Sequence, residues 1–354
     1  MKKLIMISCM TAGIAAMHAC NKKKDDVVYS PVTYTVAVPD FVKKYVGDLK
    51  QPTDNAATVD GVSLGRQLFY EKMLSNDNTM SCATCHKQEN AFDDPRPFSQ
   101  GTNGTFGGRN AMAIINLGWN THFFWDGRRP DMEGQAHDPV SNPIEMASKW
   151  TDVVSKLQNS KKYPDLFYKA FGRSVIDSTL VVRAIAQFER TLVSYNSRFD
   201  KYYFKGDSSA LNAQELRGLA IFTGKGMCNN CHLMNTQFTD NMLRNNGLDA
   251  NPLDEGQMKF TGLVTDKGKF KVPTLRNIGV TAPYMHDSRF ATLNDVVNFY
   301  SSGIKQSSPN IDEHMPDYGS GLNLTTEEKA DLVAFLNSLT DTDFITNKAF
   351  SDPN

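Results

Sequence analysis

Two short stretches, Cys82-Ala83-Thr84-Cys85-His86 and Cys228-Asn229-Asn230-Cys231-His232, decide how this chain of 354 residues is read. In each, two cysteines flank two other residues and a histidine follows directly. Cysteines at that spacing can each add across a vinyl group of haem, and the histidine is then held beneath the iron as its proximal ligand. The alternatives for a CxxC pair are a redox disulfide or a zinc site, here one that pools all four cysteines. A histidine completing both units favours two covalently bound haem c groups.

The remaining two of the six cysteines, Cys9 and Cys20, lie in the first twenty residues, MKKLIMISCMTAGIAAMHAC. Lys2 and Lys3 precede a mostly apolar run that is shorter than the ~20 residues needed to span a bilayer core, so this is an export signal. Small residues before Cys20 give it the look of a bacterial lipoprotein signal, with Cys20 as the lipidated first residue of the mature chain. Ordinary signal cleavage nearby is the other reading. Lys24-Asp25-Asp26 resembles a motif that routes lipoproteins to the cell surface. The expected location is periplasmic or cell-surface, held to a membrane by lipid.

Working outward from the two haem units, a helical phrase precedes each: Leu64-Gly65-Arg66-Gln67-Leu68-Phe69 and Arg217-Gly218-Leu219-Ala220-Ile221-Phe222. Glycine precedes phenylalanine by four positions in both, which puts the pair on one helical face suited to a flat cofactor. The recurrence marks an internal duplication. A further helix is expected over Arg183 to Tyr195, with Ile185, Phe188, Leu192 and Tyr195 on one side. A last one follows the capping box Thr325-Thr326-Glu327-Glu328, with Leu332, Phe335, Leu336 and Leu339 at helical spacing. No run of alternating strands stands out. The expected fold is all-α, two cytochrome c-like haem domains in tandem with long connecting loops. The boundaries are a signal over 1–20, a tether over 21–45, an N-terminal haem domain over 46–205, a C-terminal haem domain over 206–342 and a tail over 343–354.

Composition adds mainly exclusions. A hydrophobic share of 40% with 22% charged residues fits a soluble globular chain rather than a disordered or multi-span one. Lys+Arg 38 against Asp+Glu 39 gives no support to nucleic acid as a partner.

Between the haem units, Arg109-Asn110, Phe124-Trp125-Asp126-Gly127-Arg128, Gln135, Pro139 and Glu145-Met146 occur in that order. Leu275-Arg276-Asn277-Ile278 and Thr281-Ala282-Pro283-Tyr284-Met285-His286 follow the second unit. Over roughly residues 62 to 340 this pattern resembles the bacterial dihaem cytochrome c peroxidases and the related MauG-type enzymes. The resemblance implies a peroxidatic N-terminal haem on His86, with Glu145 and Gln135 above its iron. A carboxyl group there can relay a proton between the two oxygens of peroxide so that water leaves. It also implies that Trp125 lies between the haems as an electron bridge, and that Asn110, Thr281 and Pro283 match positions that hold calcium.

Two departures from the commoner pattern matter. The loop Gly101-Thr102-Asn103-Gly104-Thr105-Phe106-Gly107-Gly108 lacks the histidine that caps the peroxidatic iron in many relatives; Thr102 stands near that position. The first haem is therefore expected to be open without prior reduction, beneath a glycine-rich, mobile loop. On the C-terminal side, Tyr300 occupies the position of the methionine ligand of the second haem, as in MauG-type enzymes. Tyr300 also shares a helical stripe with Leu293, Val296 and Val297, so a core aromatic is the alternative to the ligand reading, with Met285 and Met315 as fallback ligands. No ligand role is supported for His122, His137, His286 or His314.

The leading reading is a peroxidase that reduces hydrogen peroxide with electrons from a small donor cytochrome or another redox protein. A MauG-like oxidase of a protein or organic substrate and a dihaem electron-transfer protein are the alternatives. Many members of the resembled family are dimers, so the resemblance also allows a homodimer.

Overall fold

A computed structural model describes residues 29–316 and 321–353. The expected signal, Cys20 and Lys24-Asp25-Asp26 lie outside those residues. The described chain is mostly helix and loop. Its strands amount to one antiparallel pair, Leu243–Arg244 against Phe270–Lys271, with Leu243 opposite Lys271.

The molecule is built on two equivalent helix crossings. In the first half Val59–Phe69 packs against Ser178–Glu189; in the second, Ala213–Thr223 packs against Thr326–Asn337. Each crossing is drawn tight by one glycine. A Cβ on Gly65 would overlap the Ala184 carbonyl and press on Phe188; one on Gly218 would overlap the Asp331 carbonyl and press on Phe335. The neighbouring rings then meet, Phe69 with Phe188 at 5.4 Å and Phe222 with Phe335 at 5.2 Å. The glycine face expected to receive a cofactor is thus taken by a partner helix. Small-to-aromatic spacing suits both uses, and only the three-dimensional partner distinguishes them.

Both long helices of the second half begin with reciprocal caps. Asn212 pairs with Glu215, and Thr325 pairs with Glu328, each side chain bonding to the other residue's main-chain N–H. The helix expected over Arg183 to Tyr195 instead runs Ser178–Glu189. Thr191 donates its hydroxyl to the Phe188 carbonyl, and the chain continues extended. Leu192 and Tyr195 are buried all the same, Tyr195 edge-on against Trp119 at 5.9 Å. Burial without helical periodicity is what misled the helical reading.

The two ends also differ from expectation. Within the presumed tether, Asp40–Tyr45 is a helix whose Val42 is buried with Trp119 and Tyr195, and Phe41 stacks on Phe204 at 4.6 Å. The tail is not a free appendage. Thr342–Thr346 is helical, Phe344 meets Phe92 at 5.7 Å, Tyr70 donates to the Phe350 carbonyl at 2.8 Å and Arg66 donates to Ser351 at 2.7 Å. The last residues of the chain therefore complete the core of the first half.

Candidate functional site

Each CxxCH unit forms a short helical turn, Cys82–Cys85 and Cys228–Asn230. In the first, the Ser81 main-chain N–H donates to Thr84 Oγ1 at 3.0 Å, which fixes the start of the turn. His86 Nδ1 lies 2.8 Å from the Phe92 carbonyl and His232 Nδ1 lies 2.9 Å from the Phe238 carbonyl. A carbonyl can only accept, so Nδ1 carries the proton and Nε2 keeps a free lone pair, the tautomer an axial ligand needs. Burial pulls both imidazole pKa values below their ordinary value, so the rings stay neutral. Burial likewise pushes the Cys228 thiol up to about 12 and the Cys231 thiol up to about 11. Among the described residues no three His, Cys, Asp or Glu side chains converge on a point, so the four cysteines do not form a pooled zinc site. The donor sets instead fit one haem c each: two free thiols and one oriented imidazole.

The helix Met132–Ser141 shares, through Ala136 and Val140, the core cluster against which Cys82 packs; it is capped by Asp131, whose Oδ1 accepts from the Gly134 N–H at 2.6 Å. This helix carries Gln135 and Pro139, and Glu145 follows its end. Glu145 Oε1 accepts from the Asn142 side-chain amide at 2.6 Å. Burial raises the Glu145 pKa, while the Asn142 donor and the Arg128 charge hold it back. The glycine-rich loop expected to be mobile is tied to this segment. Thr102 N–H donates to the Glu145 carbonyl at 2.9 Å, Asn103 donates to Pro143 at 3.1 Å, and a Cβ on Gly101 would overlap the Ile144 carbonyl. Glycine serves close approach here rather than motion.

The second unit has a matching helix, Leu293–Ser302, capped reciprocally by Thr292 and Asp295. Tyr300 from this helix lines a cavity of about 240 Å³ together with Cys228, Cys231 and His232; Met285, His286, His314 and Met315 also line it. Tyr300 Oη accepts from the Asn246 amide at 3.1 Å. Burial pushes its hydroxyl up to about 12, against the pull of that donor. Matching the two caps gives an offset of 161 residues (292 − 131), which sets Tyr300 opposite Pro139.

The same offset relates the segments where the halves meet. Asn116 and Asn277 both adopt left-handed backbone, φ 55° and 60°, and each opens a single 3-10 turn. Phe123 bridges to Arg129 and Tyr284 to Phe290. Trp125 and His286 are thereby equivalent residues, and they face each other edge to face at 6.5 Å. Main-chain bonds cross the seam reciprocally: Asn110 N–H donates to the His286 carbonyl at 2.8 Å, and Lys271 N–H donates to the Trp125 carbonyl at 2.7 Å. Trp125 Nε1 donates to the Asn110 carbonyl at 3.0 Å. His286 also stacks on Phe270 at 3.8 Å. Asn110, Thr281 and Pro283 line the cavity beside this seam, and the Asn110 amide nitrogen is buried without a partner.

A family model described as di-haem cytochrome c peroxidase matches residues 59–209. A methylamine utilization protein MauG of Methylorubrum extorquens is 36% identical over 81% of this chain and 80% of its own length. The chain belongs to the di-haem cytochrome c peroxidase and MauG family. A cytochrome c551 peroxidase of Nitrosomonas europaea, another member, is 35% identical over 79% of this chain and 80% of its own. The crystal structure of a MauG-like protein associated with microbial copper homeostasis shares the fold, with a TM-score of 0.80 and 33% identity over 91% of this chain and 99% of that one. A diheme peroxidase from Burkholderia thailandensis, at 22% identity and a TM-score of 0.71 over 84% of this chain and 91% of its own, shares the fold. This member of the family is thus an oxidoreductase, and membership implies two haem c groups.

Reading the sequence left His286 without a role and overlooked Lys271, which the structure places at the seam. The signal for His286 was available, since the segment Tyr284 to Phe290 repeats Phe123 to Arg129 at a constant offset. His137, in contrast, stacks on Trp150 at 4.9 Å, away from the seam.

Proposed function

We propose that the protein reduces hydrogen peroxide at its first haem, held by Cys82, Cys85 and His86, and keeps its second, held by Cys228, Cys231 and His232, as an electron or oxidant store. When bound, each haem c supplies an iron that changes oxidation state, a chemistry no side chain here provides. The observation that carries the assignment is the pair of matched helices. Tyr300 offers an oxygen toward the second cavity, whereas its counterpart Pro139 has no ligating atom and leaves the first site open.

Glu145 is then the acid-base group. Burial shifts its pKa upward, toward the protonated form, and the Asn142 amide fixes which oxygen is free to deliver a proton. It hands this proton to the departing oxygen of peroxide, so that two electrons and two protons yield two waters. Gln135 orients the substrate from the helix above. Electrons from a small donor cytochrome or other redox protein cross at Trp125. Calcium at Asn110, Thr281 and Pro283 would be held by neutral oxygens. The reading retains two haem domains, 46–205 and 206–342, and anchorage of an exported protein through a lipidated Cys20.

Tyr300, as a phenolate, would be the group to hold the second iron and would favour its oxidised state, which supports MauG-like oxidation of a protein or organic molecule as the second reading. Rapid mixing of peroxide with the fully oxidised protein tests the scheme. Prompt spectral change at the first haem is expected; a requirement for prior reduction overturns the open-site assignment. Tyr300→Met should alter the spectrum of the second haem alone.

A further inference from the structure

Three cationic side chains are buried among the described residues: Arg190, Lys271 and Arg276. Arg190 pairs with Glu133 at 2.5 Å and Arg276 with Asp200 at 3.0 Å. Lys271 is 6% exposed and lines the second cavity, and its ammonium has no hydrogen-bond or ion-pair partner among the described residues. Burial alone acts on its ammonium, pulling its pKa down to about 8. Its side chain opens onto that cavity, where an unpaired ammonium shielded from bulk water is ordinarily matched by an anion.

Position narrows the identity of that anion. Lys271 ends the strand Phe270–Lys271, and its N–H is bonded to the Trp125 carbonyl. It therefore sits at the edge of the cavity that faces the first half. Cys228 and Cys231, in contrast, lie on the turn that follows the Ala213–Thr223 helix and line the same cavity. A haem attached at Cys228 and Cys231 holds its thioether edge there, and its two propionate carboxylates lie on the opposite edge of the macrocycle. The 161-residue offset also makes Lys271 the counterpart of Asn110, which stands where the calcium reading places a cation.

Resting on the two-haem reading, we propose that Lys271 binds a propionate carboxylate of the second haem, as a built-in cation in the place related to Asn110. Through its main-chain bond to Trp125 it ties that carboxylate edge to the residue between the halves. A positive charge at the propionate favours the more electron-rich, reduced iron. Lys271 is thus a positioning residue that raises the potential of the second haem and not of the first.

The test uses the holoprotein and spectroelectrochemistry of Lys271→Met, Lys271→Gln and Lys271→Arg at constant ionic strength. Haem content is measured first; fewer than two haems per wild-type chain overturns the two-haem reading itself. With two haems present, Met and Gln should each lower the reduced-to-oxidised ratio of the second haem about tenfold at a fixed applied potential. The first haem should not move, and Arg should restore the ratio. Unchanged ratios in Gln, the variant closest in shape, overturn the lysine assignment. A wild-type potential that follows chloride concentration overturns it too, since the anion would then be exchangeable. If Met fails to fold by circular dichroism, Gln against Arg gives the same decision.

Discussion

The two related helices, Met132–Ser141 and Leu293–Ser302, start from caps at matched positions and end in different chemistry. One presents Pro139 where the other presents Tyr300. The first is followed by a carboxyl, Glu145, oriented by Asn142, while the second delivers its phenol directly to the cavity. On the proposed function, an internal repeat becomes a division of labour through a few changed side chains on a common frame. Reactivity is a matter of which positions lack a ligand as much as of which carry one.

The sharpest way to break this contrast is at Glu145. Glu145→Gln should lower kcat for peroxide by about 10²–10⁴-fold, with both haems and the Tyr300-dependent spectrum unchanged. A near-wild-type kcat would mean that the two helices do not differ in acid-base function. Next in size is a difference in the cores. Glu189 ends the Ser178–Glu189 helix fully buried with its Oε2 unpartnered, where the second half has buried Leu336. Burial pushes its pKa up to about 8. The folded state therefore binds more protons than the unfolded one between about pH 4.5 and 8, and stability falls as pH rises through that window. Glu189→Gln should flatten the decline in Tm between pH 5 and 8, by the equivalent of a few kcal/mol. An identical pH profile would show that the carboxyl is compensated.

Gly65→Ala and Gly218→Ala compare the two crossings directly. Each should cost about 1–3 kcal/mol by overpacking, read in denaturant titrations. A large effect in one and none in the other would mean that the halves are not packed alike. The smallest effect belongs to the caps: Asp131→Ala and Thr292→Ala should each cost about 1 kcal/mol. Of the two, only Asp131→Ala should also slow peroxide turnover, because its helix carries Gln135.

How much of this was legible from the sequence follows from the range of the interactions. The CxxCH units are local, as is the 325–328 capping box, so spacing alone identified them. Tyr300 was reached by a count from a motif. The true partner of Gly65 is a carbonyl more than a hundred residues away, Ala184, and no local pattern separates a helix crossing from a cofactor face. Lys271 was invisible for a related reason. A lysine in a sequence is expected at the surface, and its burial is imposed by the seam between halves rather than by its neighbours.

The contacts of residues 342–351 with Phe92, Arg66 and Tyr70 carry a consequence for biosynthesis. Phe92 lies six residues past His86 and accepts its Nδ1 proton. A chain that emerges N-terminus first therefore displays its first haem motif early, yet cannot close the wall behind that histidine until its final dozen residues arrive. The second unit is enclosed by residues no later than the Thr326–Asn337 helix. Order of appearance and order of completion are inverted, so the half proposed to meet peroxide is the last to be sealed.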